Sequence, residues 1–172
     1  MKKYFPMMLL ALLSFVAFSC STDRNDNSQN TDHDTYPKMR DIRGNFNAAN
    51  EYTISQDLNI ASTDVVLVYR NNNSSTGGSA VWQLLPDTVY FDSNKQIKYS
   101  FLFNNTAVEI YADANVDPST LSATQQITYL NNQQFRIVLV PASQGKGEKL
   151  DYSDYNSVIR YYNLDDSNVK TL

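Results

Sequence analysis

Residues 96–103 read Gln-Ile-Lys-Tyr-Ser-Phe-Leu-Phe, and their rhythm decides the fold. Ile97, Tyr99, Phe101 and Phe103 fall at alternate positions, with Lys98 and Ser100 between them and Leu102 breaking the pattern. Successive side chains of a strand point to opposite faces, so this spacing predicts a strand with one face toward a core and the other toward water. The same signature recurs on both sides. Asn104-Asn105 turns the chain into residues 107–112, where Val108, Ile110 and Ala112 alternate again. Upstream, Thr88–Phe91 predicts a short strand closed by Asp92-Ser93-Asn94. Pro86 ends or edges the strand before it, because proline has no backbone donor.

Further out, the run Asp64-Val-Val-Leu-Val-Tyr-Arg70 and residues 80–85 flank the polar loop Asn71 to Ser79 and predict a hairpin. The near-continuous apolar run suits a central strand covered on both faces. Glu51–Leu58 is the earliest candidate strand, with Tyr52, Ile54 and Leu58 facing one way. Downstream, a loop at 113–125 containing Pro118 leads to predicted strands at 126–130 and 135–140, the second rich in β-branched residues and stopped by Pro141. Seven or eight short strands at roughly ten-residue spacing, with no helices between them, predict an all-β fold. The expected architecture is an antiparallel β-sandwich, immunoglobulin-like or similar, over residues 41–164. A short helix near 152–163 should finish it, because Tyr155, Val158, Ile159 and Tyr162 stand at i, i+3, i+4 and i+7. Asp151 or Ser153 is the expected cap, Asp154 favours the positive end of the helix dipole, and residues 165–172 are expected to fray.

The amino-terminal segment has a different character. Lys2 and Lys3 precede Met7–Phe18, an apolar run in which Ser14 is the one polar residue. About a dozen apolar residues make a signal-peptide core, well short of the roughly 20 that span a bilayer. The segment ends in Ala17-Phe18-Ser19-Cys20, which resembles the lipobox of bacterial lipoproteins, although Phe18 is bulkier than the residue usual there. The resemblance implies that residues 1–19 are removed and that Cys20 carries a covalent lipid. Cysteine usage agrees, since the chain's single cysteine cannot form an internal disulfide. More than one acyl chain on Cys20 would make membrane attachment stable. Residues 20–40 read as a tether to that anchor: from Ser21 to Pro37 no apolar residue precedes Tyr36, so there is little to bury.

Charge and motifs exclude more than they specify. Removing residues 1–19 takes two of the 14 Lys+Arg and none of the 18 Asp+Glu, moving the net charge from −4 to −6. Such a chain lacks the concentrated basic surface of nucleic-acid binders. The sole histidine, His33, lies in the tether, which removes Ser-His and Cys-His catalysis and zinc sites of the Cys/His type. There is no P-loop and no GxGxxG.

Several stretches together resemble a group of short lipoproteins from Bacteroidota, especially flavobacteria. They are Asp34-Thr-Tyr-Pro37, Asp64 to Arg70, Val81-Trp-Gln83, Ile110-Tyr-Ala-Asp-Ala-Asn115, Phe135 to Pro141 and Asp151-Tyr-Ser-Asp-Tyr-Asn156. The resemblance implies an exported protein held in the outer membrane, at its periplasmic face or at the cell surface. It carries over no activity and no functional residues.

Calcium is the one metal that the residues suggest, through oxygens at alternate positions in Asp113, Asn115 and Asp117. Continued in an EF-hand register, however, Pro118 stands where glycine is needed and Thr124 where a bidentate Glu is needed. A strand end followed by an Asx-type turn is the simpler reading. Trp82 and Tyr161 are the candidates for stacking on a sugar ring, although the alternation of Trp82 with Val81 and Leu84 favours a packed position. A glycosidase needs two carboxylates about 5–9.5 Å apart, and no such pair can be placed from sequence. The expectation is therefore a lipid-anchored, non-catalytic binding or structural module of the cell envelope, with no cofactor beyond the lipid. A glycan- or calcium-assisted ligand-binding module is the alternative, and a carboxylate-based enzyme stands third.

Overall fold

A computed structural model describes residues 38–92, 94–142 and 150–172; the leader, Cys20, His33 and most of the tether lie outside them. Within these residues the chain forms β1 (Lys38–Gly44), β2 (Thr53–Asp57), β3 (Val65–Asn71), β4 (Trp82–Leu84), β5 (Asp87–Phe91), β6 (Lys95–Phe103), β7 (Ala107–Ala114), the helix α1 (Ala123–Tyr129), β8 (Gln133–Val140) and the helix α2 (Tyr155–Tyr161). The strands make two four-stranded antiparallel sheets, ordered β1-β8-β3-β4 (sheet A) and β2-β7-β6-β5 (sheet B). The protein is an all-β sandwich with a short C-terminal helix.

Alternation places the core. Ile42, Val66, Val68, Phe135, Ile137 and Leu139 from sheet A meet Ile97, Tyr99, Val108, Ile110 and Ala112 from sheet B, all buried. Phe46, beyond β1, wedges its ring between Tyr99 and Phe135, at 5.9 Å from each. Where β1 faces β2 the sheets approach so closely that a Cβ on Gly44 would stand 2.7 Å from Ile54 Cδ1. The rhythm of β6 holds for only half its length: Ile97 and Tyr99 are fully buried, Phe101 is partly covered, and Phe103 is exposed.

The opposite face of sheet A carries a second apolar layer. Leu67 and Tyr69 of β3 and Val138 and Val140 of β8 lie under Tyr155, Val158 and Tyr162 of α2. Both central strands of sheet A are therefore covered on both sides, as the apolar run at 64–70 predicts. The helix is capped by Asp154, which accepts from the Asn156 N–H, rather than by Asp151 or Ser153. Asp151 instead closes a turn by accepting from the Ser153 N–H.

Three other expectations are corrected. Residues 126–130 form the end of α1 and not a strand; Ser122 and Gln125 cap that helix reciprocally, each side chain bonding the other's backbone N–H. β1 begins at Lys38, inside the stretch read as tether, because its alternate residues pair with β8 and Ile42 enters the core. Residues 165–172, expected to fray, form a strap: the Asp41 N–H donates to the Lys170 carbonyl and the Leu172 N–H donates to the Asp41 carbonyl, both at 3.0 Å. Thr171 thereby lies parallel to β1 at Asp41.

Candidate functional site

An arginine in a strand buried on both faces must bring its partners with it, because an unpaired buried charge is strongly unfavourable. Arg136 is such a residue. It points from β8 toward α2, in a row with Gln134, Val138 and Val140, and is 6% exposed. In the β1–β8 ladder it stands directly opposite Asp41, itself 4% exposed. The two form a bidentate pair: Arg136 Nε donates to Asp41 Oδ1 at 2.7 Å and Nη2 to Oδ2 at 2.9 Å. Gln134 Nε2 adds a 3.1 Å bond to Asp41 Oδ2, while its Oε1 accepts from Asn71 Nδ2 and Arg43 Nη2, both at 2.9 Å.

The other side of the guanidinium faces the helix layer. Arg136 Nη1 donates to the Tyr155 hydroxyl, which donates in turn to Asp166 Oδ2 in the strap at 3.1 Å. The guanidinium carbon lies 4.3 Å from the centre of the Trp82 ring and 5.7 Å from that of Tyr155, within cation–π range of both. These residues bound an open cleft of about 610 Å³, with Trp82, Gln134, Arg136, Asp154, Tyr155 and Asp166 in its wall. Among the described residues, neither the Trp82 indole N–H nor the Asn156 side-chain amide at the rim has a hydrogen-bond partner.

The protonation states follow from the surroundings. Burial works against the Arg136 charge, but its bonds to Asp41 and Tyr155 outweigh it and hold its pKa above the ordinary value. Burial raises the Tyr155 hydroxyl to about 12, with Arg136 opposing the rise and Asp166 adding to it. The Ser157 hydroxyl holds the exposed Asp154 carboxyl below its ordinary value. Tyr155 carries a consequence for stability. Its pKa is near 10.0 when unfolded and about 12 when folded, so the stabilisation is complete below pH 10 and is lost as pH rises toward 12. In Tyr155→Phe, unfolding free energy should fall less steeply between pH 10 and 12 than in the parent, as measured by urea titration at successive pH values. Equal slopes would show that Tyr155 ionises as if in water.

The sequence-derived candidates separate. Trp82 lies in the cleft wall, partly exposed, packed on Arg136 and tilted 37° to Tyr155 at 5.8 Å, and is not in the inter-sheet core. Tyr161 stands edge-on to Tyr162 at 4.9 Å and does not line the cleft. Asn115 and Asp117 are engaged locally, and Asp113 has no part in their bonds. Asp113 faces Lys98 across the β6–β7 ladder. Asn115 Oδ1 accepts from the Gln96 N–H, and Asp117 Oδ1 from the Ser119 N–H. Among the described residues no group of three or more His, Cys, Asp or Glu is placed to hold a metal ion.

The sequence does not single out Asp41, Arg136 or Asp166, and it places Tyr155 only on the packing face of the helix. The usable signal was a lone arginine inside the apolar run Phe135–Val140. A second, partly buried pair, Arg70 with Asp87 at 2.9 Å, takes no part in the cleft; its guanidinium lies 4.4 Å from the Tyr99 ring. Chemically, the cleft presents an aromatic wall, an indole donor, an amide and the Asp154 and Asp166 carboxylates, around a cation whose charge Asp41 already balances. Comparison of the chain with protein-family models, curated proteins and solved structures finds no match.

Proposed function

We propose that the protein is a lipid-anchored, non-catalytic binding module of the bacterial cell envelope, held by Cys20 and binding its ligand in the cleft over sheet A. The observation that carries the binding half is the partly exposed Trp82, its indole N–H without a hydrogen-bond partner among the described residues, in the wall of a cleft of ligand size. The anchoring half rests on Lys2 to Cys20 and on the single cysteine. The non-catalytic reading is supported by how Arg136, Asp41 and Tyr155 spend their hydrogen bonds on one another rather than on an open position. A glycan is the ligand that the aromatic wall and the hydrogen-bonding rim favour, since a pyranose offers an apolar face and a fringe of hydroxyls.

Because Trp82 is the chain's one tryptophan, its emission reports on this cleft alone. Titration with a panel of neutral oligosaccharides should shift that emission for at least one member, and Asn156→Ala should weaken the binding about tenfold. No spectral or calorimetric response across the panel removes the glycan reading. Cys20→Ala should release the protein from the membrane fraction and abolish incorporation of labelled palmitate; continued membrane fractionation removes the anchor.

A further inference from the structure

Strand β1 is the border of sheet A, and its outward backbone groups are only partly used. Alternate residues of a strand aim their N–H and C=O to the same side. Asp41 aims both at the strap, so Met39 and Arg43 aim theirs outward as well. Among the described residues no hydrogen bond engages those groups on Met39 or Arg43. An open border of this kind is a template for an added strand.

What already lies there indicates what fits. The strap runs parallel to β1, touching it through Lys170 and Leu172, and five residues before Thr171 the Asp166 carboxylate reaches the Tyr155 hydroxyl beside Arg136. Its hold is slight: two backbone bonds, one hydroxyl–carboxylate bond and a 3.9 Å ion pair from Asp166 to Arg136, with residues 165–168 and 170–172 exposed and Leu172 49% accessible. The border itself is basic, with Arg40 and Arg43 on β1 while Asp41 is neutralised by Arg136, on a chain of net charge −4. We propose that the β1 border is a docking site for an extended acidic peptide segment of a partner protein, and that the C-terminal strap fills it until the partner arrives. The incoming segment pairs with Asp41 and also with Met39 and Arg43, and sets a carboxylate on Tyr155 where Asp166 stands. This goes beyond the cleft reading and needs neither its ligand nor the lipid.

The probe is a synthetic peptide with the sequence of residues 163–172, Asn-Leu-Asp-Asp-Ser-Asn-Val-Lys-Thr-Leu, titrated into the full chain and read by isothermal titration calorimetry. A tethered strap competes at high effective concentration, so the parent chain should bind the peptide weakly. In the full-chain variant Asp166→Asn with Leu172→Pro, which loses the carboxylate and the N–H donor to Asp41, binding should tighten at least tenfold. The same peptide carrying Ala at the place of Asp166 should bind this variant about tenfold more weakly. Should the double variant fail to fold, Leu172→Pro alone, at an exposed position, should show a smaller gain in the same direction. Equal affinity of parent and variant overturns the proposal, as does the absence of binding to both. A concentration-dependent dimer of the variant without peptide also overturns it, by showing that a second copy fills the border.

Discussion

Asp41→Ala lowers the unfolding free energy by about 3–5 kcal/mol, the cost of leaving a buried guanidinium without its counter-ion. Arg136 and Asp41 are 6% and 4% exposed, so water cannot replace the lost carboxylate. The Tyr155 hydroxyl accepts one bond from Arg136 but carries no charge, and Asp166 lies 3.9 Å away with a side chain 45% exposed. Neither restores the balance. Arg136→Ala should cost a comparable amount, because it strands the carboxylate and also removes the guanidinium from the Trp82 face. Replacing both partners separates pairing from packing: Asp41→Leu with Arg136→Met should be less destabilised than either single alanine variant, since no charge is left alone. Urea unfolding followed by far-ultraviolet circular dichroism measures all three. A loss below about 1 kcal/mol for Asp41→Ala is the behaviour of a solvated surface pair and would refute the buried reading.

The second large effect belongs to the inter-sheet core. Phe135 is 0% exposed, edge-on to Phe46 at 5.9 Å and 6.4 Å from Tyr99. Phe135→Ala should therefore cost about 3–5 kcal/mol, the transfer of the ring plus the cavity left beside Phe46 and Tyr99. Phe103→Ala should cost about 0.5 kcal/mol or less: the side chain is 43% exposed, on the far part of β6, and rests on the Phe101 ring at 6.2 Å. The pair tests which aromatics carry the fold. Comparable losses at the two positions would mean that the end of β6 is covered in solution.

Phe103 also marks the limit of what the residues reveal before folding. Its alternation with Ile97 and Tyr99 states which face it shares, but not how far along the strand the opposite sheet extends. Strands β2, β6 and β7 were legible for that reason, each having a period of two that needs no distant information. β3 was legible as a short continuous apolar run, and β4 and β5 from the turns that bound them. β1 was not, because Lys-Met-Arg-Asp-Ile-Arg-Gly shows apolar residues only at 39 and 42. Its central carboxylate is buried only because Arg136, 95 positions later, lies beside it. α1 was misread through Ile127, Thr128 and Tyr129, which suit strands, although Ser122 and Gln125 spell a helix start three residues apart. The candidate site was legible only at Trp82. The rest of it is assembled from β1, β8, α2 and the strap, and no local pattern encodes a meeting of four separated segments. The helix face Tyr155, Val158, Ile159 and Tyr162 was plain in the sequence, and so was the double covering of β3, whereas which element lies over it was not.

The double covering of β8 has a consequence for how the sequence can drift. From Phe135 to Val140 every side chain is enclosed, odd positions by sheet B and even positions by the helix layer. A survey of substitutions should find β7 tolerant at every second residue, while β8 accepts polar replacements at none of its apolar positions along this stretch. Such a strand evolves slowly on both flanks at once, and it is where distant descendants of this chain should still be alignable.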